Sequence, residues 1–149
     1  MAAAAALLAA LAGCSRGPAR PKVAPLHGRV LYKGQPLAGY DVTFMCPGSP
    51  RYSYGVTDEE GHFTLTTFEP NDGAVVGENK VTVFKLVRPP RELGGDVPDP
   101  EVYMREMARV TKPPPHALPA RYGDGDPNKS ELTLTVVDGE NTPLLELRD

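Results

Sequence analysis

The chain has 149 residues, a formal charge of -3, 15 glycines and 17 prolines. That length suits one domain with a real core and leaves no room for a second of ordinary size. Arg16, Arg20, Lys22, Arg29 and Lys33 precede residue 34 with no acid among residues 16–33, which leaves 11 basic against 19 acidic residues beyond, a charge of -8. A nucleic-acid binder carries a basic face on its folded part, so no nucleic-acid partner is expected.

Residues 2–11 read AAAAALLAAL, an uncharged apolar run. As a helix it measures about 15 Å, half of a bilayer core, too short for a span and right for the h-region of a signal peptide. It runs into Leu11-Ala12-Gly13-Cys14, which resembles the lipobox of bacterial lipoproteins. The resemblance implies a signal peptide over 1–13, with Leu11, Ala12 and Gly13 as the peptidase recognition residues. It also implies a diacylglyceryl thioether on Cys14 and further acylation, such as palmitate, on the freed amine. No Lys or Arg precedes the run, a departure from a signal peptide that a start codon assigned too late explains. The competing reading is an Ala/Leu-rich buried helix or an ordinary signal peptide beside a chance cysteine.

Residues 14–24, CSRGPARPKVA, lack apolar periodicity and read as an extended tether. Two or three acyl chains on one residue, at about 0.8 kcal/mol per buried methylene, make release from a membrane slow. The expected location is therefore the cell envelope. Ser15 resembles the non-retained class, which points to the outer membrane facing the periplasm or the cell surface.

Period-two alternation then dominates. Leu26, Gly28, Val30 and Tyr32 share one side of a first strand, with His27, Arg29 and Lys33 opposite, and KGQPLAG turns the chain. A second strand runs through YDVTFMC, where Cys46 falls in phase with Tyr40, Val42 and Phe44 and reads as a core residue, in preference to a reactive thiol or a disulfide to Cys14. A third carries Tyr52, Tyr54 and Val56, read as core packing in preference to a sugar-stacking surface shared with Tyr103 and Tyr122. A fourth carries Phe63 and Leu65, and TDEEG joins these two as a hairpin, with Asp58 accepting backbone N–H groups and Gly61 at positive φ. In NDGAVVGENKVTVFKL a turn leads to a longer strand, Val81 and Val83 opposing Phe84 and Leu86, so that both faces are covered. Leu132, Leu134 and Val136 form a sixth strand, DGEN turns, and Leu145 with Leu147 form a seventh.

Residues 88–121 break the pattern. Asp99 caps a helix with Pro100 at its first position; Tyr103, Met107 and Val110 follow at i, i+4 and i+7, and Glu101 pairs with Arg105. KPPPHALPARY closes it, giving a Pro-rich crossover packed on the sheets, with a lid as the alternative.

HGRVLYKGQPLAGYDVTF, GVTDEEGHFTL and GAVVGENKVTV together resemble the carboxypeptidase regulatory-like, transthyretin-like domain. That resemblance implies a seven-stranded antiparallel, Ig-like sandwich over residues 25–149, here with one short helix in the crossover. With the lipobox, LPARY and SELTLTV, the mature chain looks like small secreted lipoproteins of planctomycete-type bacteria. These motifs specify turns and core positions, and so fold more than function.

Chemistry has little to rest on. His27, His62 and His116 stand in no metal-ligand spacing with one another or with Cys46. Two enzyme groups share a related sandwich: intradiol dioxygenases need a close H-x-H pair, absent here, and hydroxyisourate hydrolases end in a Y-R-G-S-type motif where this chain ends LLELRD. No catalytic residues and no cofactor are expected. A weak calcium-loop candidate remains in DGDPNKS, where Asp124, Asp126, Asn128 and Ser130 alternate oxygen ligands; Lys129 stands where an EF-hand needs glycine and Thr135 where it needs glutamate. The expected function is a non-catalytic, membrane-anchored module for an envelope protein or glycan. The alternatives are a metal-dependent or hydrolytic enzyme with a site near residues 116–130, or a calcium-assisted carbohydrate binder.

Overall fold

The computed structural model describes residues 19–86 and 118–149, together with Glu101, Met104, Arg105 and Ala108. The lipobox residues Leu11, Ala12, Gly13 and Cys14, the loop residue His116, and Asp99, Pro100, Tyr103, Met107 and Val110 of the expected helix lie outside them. The four described crossover residues include Glu101 and Arg105; all four are helical and exposed, at i, i+3, i+4 and i+7.

The strands are β1 (Val23–Ala24), β2 (His27–Tyr32), β3 (Gln35–Pro36), β4 (Asp41–Met45), β5 (Ser53–Val56), β6 (His62–Thr64), β7 (Ala74–Val75), β8 (Gly77–Phe84), β9 (Thr133–Val136) and β10 (Leu144–Leu147). In sheet 1, β2 pairs with β10, β3 and β6; sheet 2 runs β5-β4-β8-β9; β1 and β7 form a two-stranded ribbon. The protein is mainly β, with antiparallel and mixed sheets and no long helix among the described residues.

The alternation read from the sequence places the core. Leu26, Val30, Val42, Phe44, Leu65, Val81 and Val136 are wholly or almost wholly buried, and both sheets turn these positions onto one cluster. The Phe44 and Phe63 rings meet across it with centroids 6.4 Å apart, tying sheet 2 to sheet 1. Burying a side chain such as Phe44 contributes about 2–3 kcal/mol. Around Val81 and Val83, Thr82 is also fully buried, so both faces of β8 are covered there, whereas Leu86 is exposed.

Several expectations need correction. The described residues form ten strands, two of them pairing parallel, where seven antiparallel ones were expected: β10 lies beside β2 in the same direction, Leu144 opposite Arg29 and Leu147 opposite Tyr32. The chain reaches that position by leaving the edge of sheet 2 at β9 and entering sheet 1 through residues 137–143. Lys33 is not on β2; with Gly34 it forms a two-residue turn, both at positive φ, that brings Gln35 opposite Tyr32. The 56–63 turn is the expected hairpin, with the Asp58 N–H on the His62 carbonyl at 2.8 Å and Tyr54 bridged antiparallel to Thr66, but its arms have their main ladders in different sheets, β5 with β4 and β6 with β2.

The largest error of phase is in β5. Tyr52, Tyr54 and Val56 are exposed, and Ser53 and Gly55 face inward. The inward positions are small because the chain after β6 passes directly over them: a Cβ on Gly55 would lie 2.3 Å from the Thr64 carbonyl oxygen, and the Ser53 and Thr67 hydroxyls are 2.7 Å apart. Cys46 is half-buried and free, not a core residue. The β4–β8 ladder ends at Met45 opposite Lys80, and Cys46 already belongs to the next turn, its carbonyl accepting from the Ser49 N–H at 3.0 Å.

Candidate functional site

The turn after β5 gathers the chemistry. Asp58 Oδ1 accepts the Glu60 and His62 N–H groups at 3.0 and 2.8 Å, while the Asp58 N–H donates to the His62 carbonyl at 2.8 Å. The loop is thereby closed on its own first residue, the cap expected from TDEEG. Gly61 sits at φ +81, where a Cβ would lie 2.5 Å from the Val30 carbonyl oxygen, so this turn admits glycine alone. Arg29 Nε donates to the Glu60 carbonyl at 2.9 Å and fixes the loop against β2.

This closure leaves three side chains on one exposed side. One ligand atom each from Asp58, Glu60 and His62 lies within 4.8 Å of the others, and Asp58 Oδ2 is 3.8 Å from His62 Nδ1. Two carboxylates and an imidazole suit a divalent ion with open positions filled by water. The cluster borders a groove of about 320 Å³ that also touches Val56 and Asn71, and His62 faces a second groove, of about 440 Å³, with His27 and Arg29. His27 Nδ1 lies 3.0 Å from Thr64 Oγ1. Sequence reasoning placed His27 and His62 outward, correctly, yet missed the cluster; the available signal was D-x-E-x-H across a tight turn, whose alternate residues share a side.

The 124–130 loop does different work. Asp126 caps a short 3-10 turn, Pro127–Lys129, its Oδ1 accepting the Asn128 N–H at 2.9 Å and Asn128 Nδ2 at 3.2 Å. Ser130 is buried; its hydroxyl donates to the Val81 carbonyl and accepts from the Leu132 N–H at 3.2 Å. Of the four expected calcium ligands, Ser130 is thus spent on holding the loop against β8 and Asp126 Oδ1 on capping the 3-10 turn, while Asp124 is exposed at φ +40.

Of the residues expected of an enzyme near 116–130, the described ones, Tyr122 and Asp124, face different surroundings. Tyr122 is buried in a second 3-10 turn, Ala120–Tyr122; its Oη donates to the Arg148 carbonyl at 2.6 Å and accepts the Arg148 N–H at 2.7 Å. Asp124 instead borders a cavity of about 170 Å³ with Tyr40, Phe84 and Leu118, which Tyr122 does not line. Cys46 opens onto a groove of about 590 Å³ that also touches Ala19, Arg20 and Val75.

Among the described residues, Asp72 and Asp149 have perturbed acidity. Burial pushes Asp72 up, but N–H groups of Glu69, Thr67 and Phe68 outweigh it and hold the carboxyl below its usual range. The hydrogen bond from Lys33, then that from Tyr32, lowers Asp149, and the same contacts raise Tyr32 and Lys33. Comparisons of the chain with known protein families, with curated proteins and with solved structures find no match.

Proposed function

We propose that the chain is a lipid-anchored envelope module that binds an unidentified envelope protein or glycan and performs no bond chemistry, built on a transthyretin-like β-sandwich. The observation that carries the reading is Leu11-Ala12-Gly13-Cys14 directly after an apolar run, with the first strand beginning at Val23 beyond a polar tether. Support for the fold is the one core shared by two four-stranded sheets. Support for the interaction role is the exposed row Tyr52, Tyr54 and Val56, since aromatic side chains left in water are characteristic of contact surfaces. Mass spectrometry of the protein from its native cells tests the anchor: a chain starting at an acylated Cys14 is expected, and a free thiol there with the upstream alanines attached refutes it.

The Asp58, Glu60 and His62 cluster favours a second reading, a divalent-metal binder. Calorimetry with zinc checks it: one site that disappears in His62→Ala is expected, and equal heats in both proteins count against it.

A further inference from the structure

We propose that β9 is a pairing edge through which two copies of this chain join antiparallel, extending sheet 2 across a twofold axis. The inference is independent of the anchoring proposal.

Among the described residues β9 pairs with β8 alone. The Val81 N–H donates to the Leu132 carbonyl at 2.8 Å, and the register continues with Asn79 opposite Leu134 and Gly77 opposite Val136. In an antiparallel ladder alternate residues exchange bonds with the neighbour, so the main-chain groups of Leu134 and Val136 face β8 and those of Thr133, Thr135 and Val137 face away. Asn141 closes the far end, its side-chain amide accepting the Val137 N–H at 3.0 Å and donating to the Val137 carbonyl at 2.9 Å. Thr133 and Thr135 keep two N–H donors and two carbonyls without a main-chain partner among the described residues.

The far edge of sheet 2 and the β10 edge of sheet 1 are guarded. On β5, Tyr54 exchanges N–H and carbonyl with Thr66 at 3.0 and 2.9 Å. On β10, Tyr122 takes the main chain of Arg148, and the strand carries Glu146 paired with Arg148. Residues 132–137, LTLTVV, contain no charge and no proline, the devices that ordinarily blunt an exposed edge.

The open edge is complementary to itself. A twofold centred on Leu134 sets Thr133 opposite Thr135 of the second copy and gives four main-chain hydrogen bonds, with Leu134 against its counterpart at a close, non-hydrogen-bonded position. The same register places Glu131 opposite Val137 and Asp138 opposite Ser130, so like charges do not meet across the axis.

The test is sedimentation equilibrium of the full-length chain in density-matched detergent, with amide exchange read at low and high concentration. The mass is expected to double between about 10 μM and 1 mM, and Thr133 and Thr135 amides to slow at least about tenfold over that range. Thr135→Pro removes an outward N–H without touching the β8 ladder, and Thr135→Lys adds a charge while keeping the backbone; each should weaken association at least about tenfold. A monomer throughout, or a dimer indifferent to both substitutions, overturns the proposal. So does protection of the two amides that is equal at all concentrations, which would mean that the same chain already covers this edge.

Discussion

Two acidic, glycine-containing turns, 58–62 and 124–130, begin alike and end differently. In each an aspartate caps the backbone: Asp58 takes the Glu60 and His62 N–H groups, and Asp126 takes that of Asn128. In the first turn, which joins strands of two sheets, the Asp58, Glu60 and His62 side chains stay exposed and converge. In the second the loop lies on the outside of β8, where Ser130 satisfies the Val81 carbonyl, so its oxygens serve the fold. Alternating polar residues can converge on a ligand only where packing leaves some of their oxygens free.

The largest expected effect breaks the first turn and spares the second. Gly61 and Gly125 have nearly equal φ, +81 and +86, but an added Cβ meets the Val30 carbonyl at 2.5 Å in one case and the Phe84 ring at 3.5 Å in the other. Both alanine variants suffer the left-handed backbone cost, about 1–2 kcal/mol, and only Gly61→Ala adds a backbone clash. Urea unfolding should therefore show a loss of about 3–4 kcal/mol for Gly61→Ala against about 1–2 for Gly125→Ala. Equal losses would mean that Val30 gives way freely.

Next come the caps. Asp58→Ala removes two backbone hydrogen bonds and should cost about 1–2 kcal/mol; Asp126→Ala removes one and should cost about 1. The 66–72 turn extends the comparison to pH. Asp72 accepts the Thr67, Phe68 and Glu69 N–H groups at 2.7, 2.9 and 2.9 Å, and its carboxyl is more acidic folded than unfolded. The stability it contributes is complete above the unfolded carboxylate range and is lost as pH falls through the lower folded value. The urea midpoint of Asp72→Asn should accordingly fall less steeply in acid than that of the parent; parallel acid limbs would refute this.

How much of this was readable beforehand depends on what each residue answers to. Val30, Val42, Phe44, Phe63 and Leu147 alternate strictly, and the structure buries each of them, since period two leaves a half-covered strand no other choice. Asp58 and Gly61 were legible because turn chemistry is local. The phase of β5 was not, because apolarity favoured Tyr52, Tyr54 and Val56 while the decision lay with the passage of Thr64–Thr67 over Gly55, a contact between distant parts of the chain. The Asp58, Glu60 and His62 cluster was hidden because Asp58 reads as a cap and His62 as an outward strand position, each correctly, and neither reading reveals that the turn brings them together.

The smallest expected effect bears on Asp124. Calcium takes six to eight oxygens, and a loop that holds it must keep them free to turn inward. Here Ser130 points into the protein at Val81, Asp126 Oδ1 faces Asn128, and Lys129 adds a positive charge between them. Asp124→Asn should change stability by less than about 0.5 kcal/mol, as an exposed substitution does. Millimolar calcium should leave the melting temperatures of parent and variant equal. A calcium-dependent rise in the parent that the variant lacks would mean that Ser130 releases Val81 on binding and that the 124–130 loop is a calcium site.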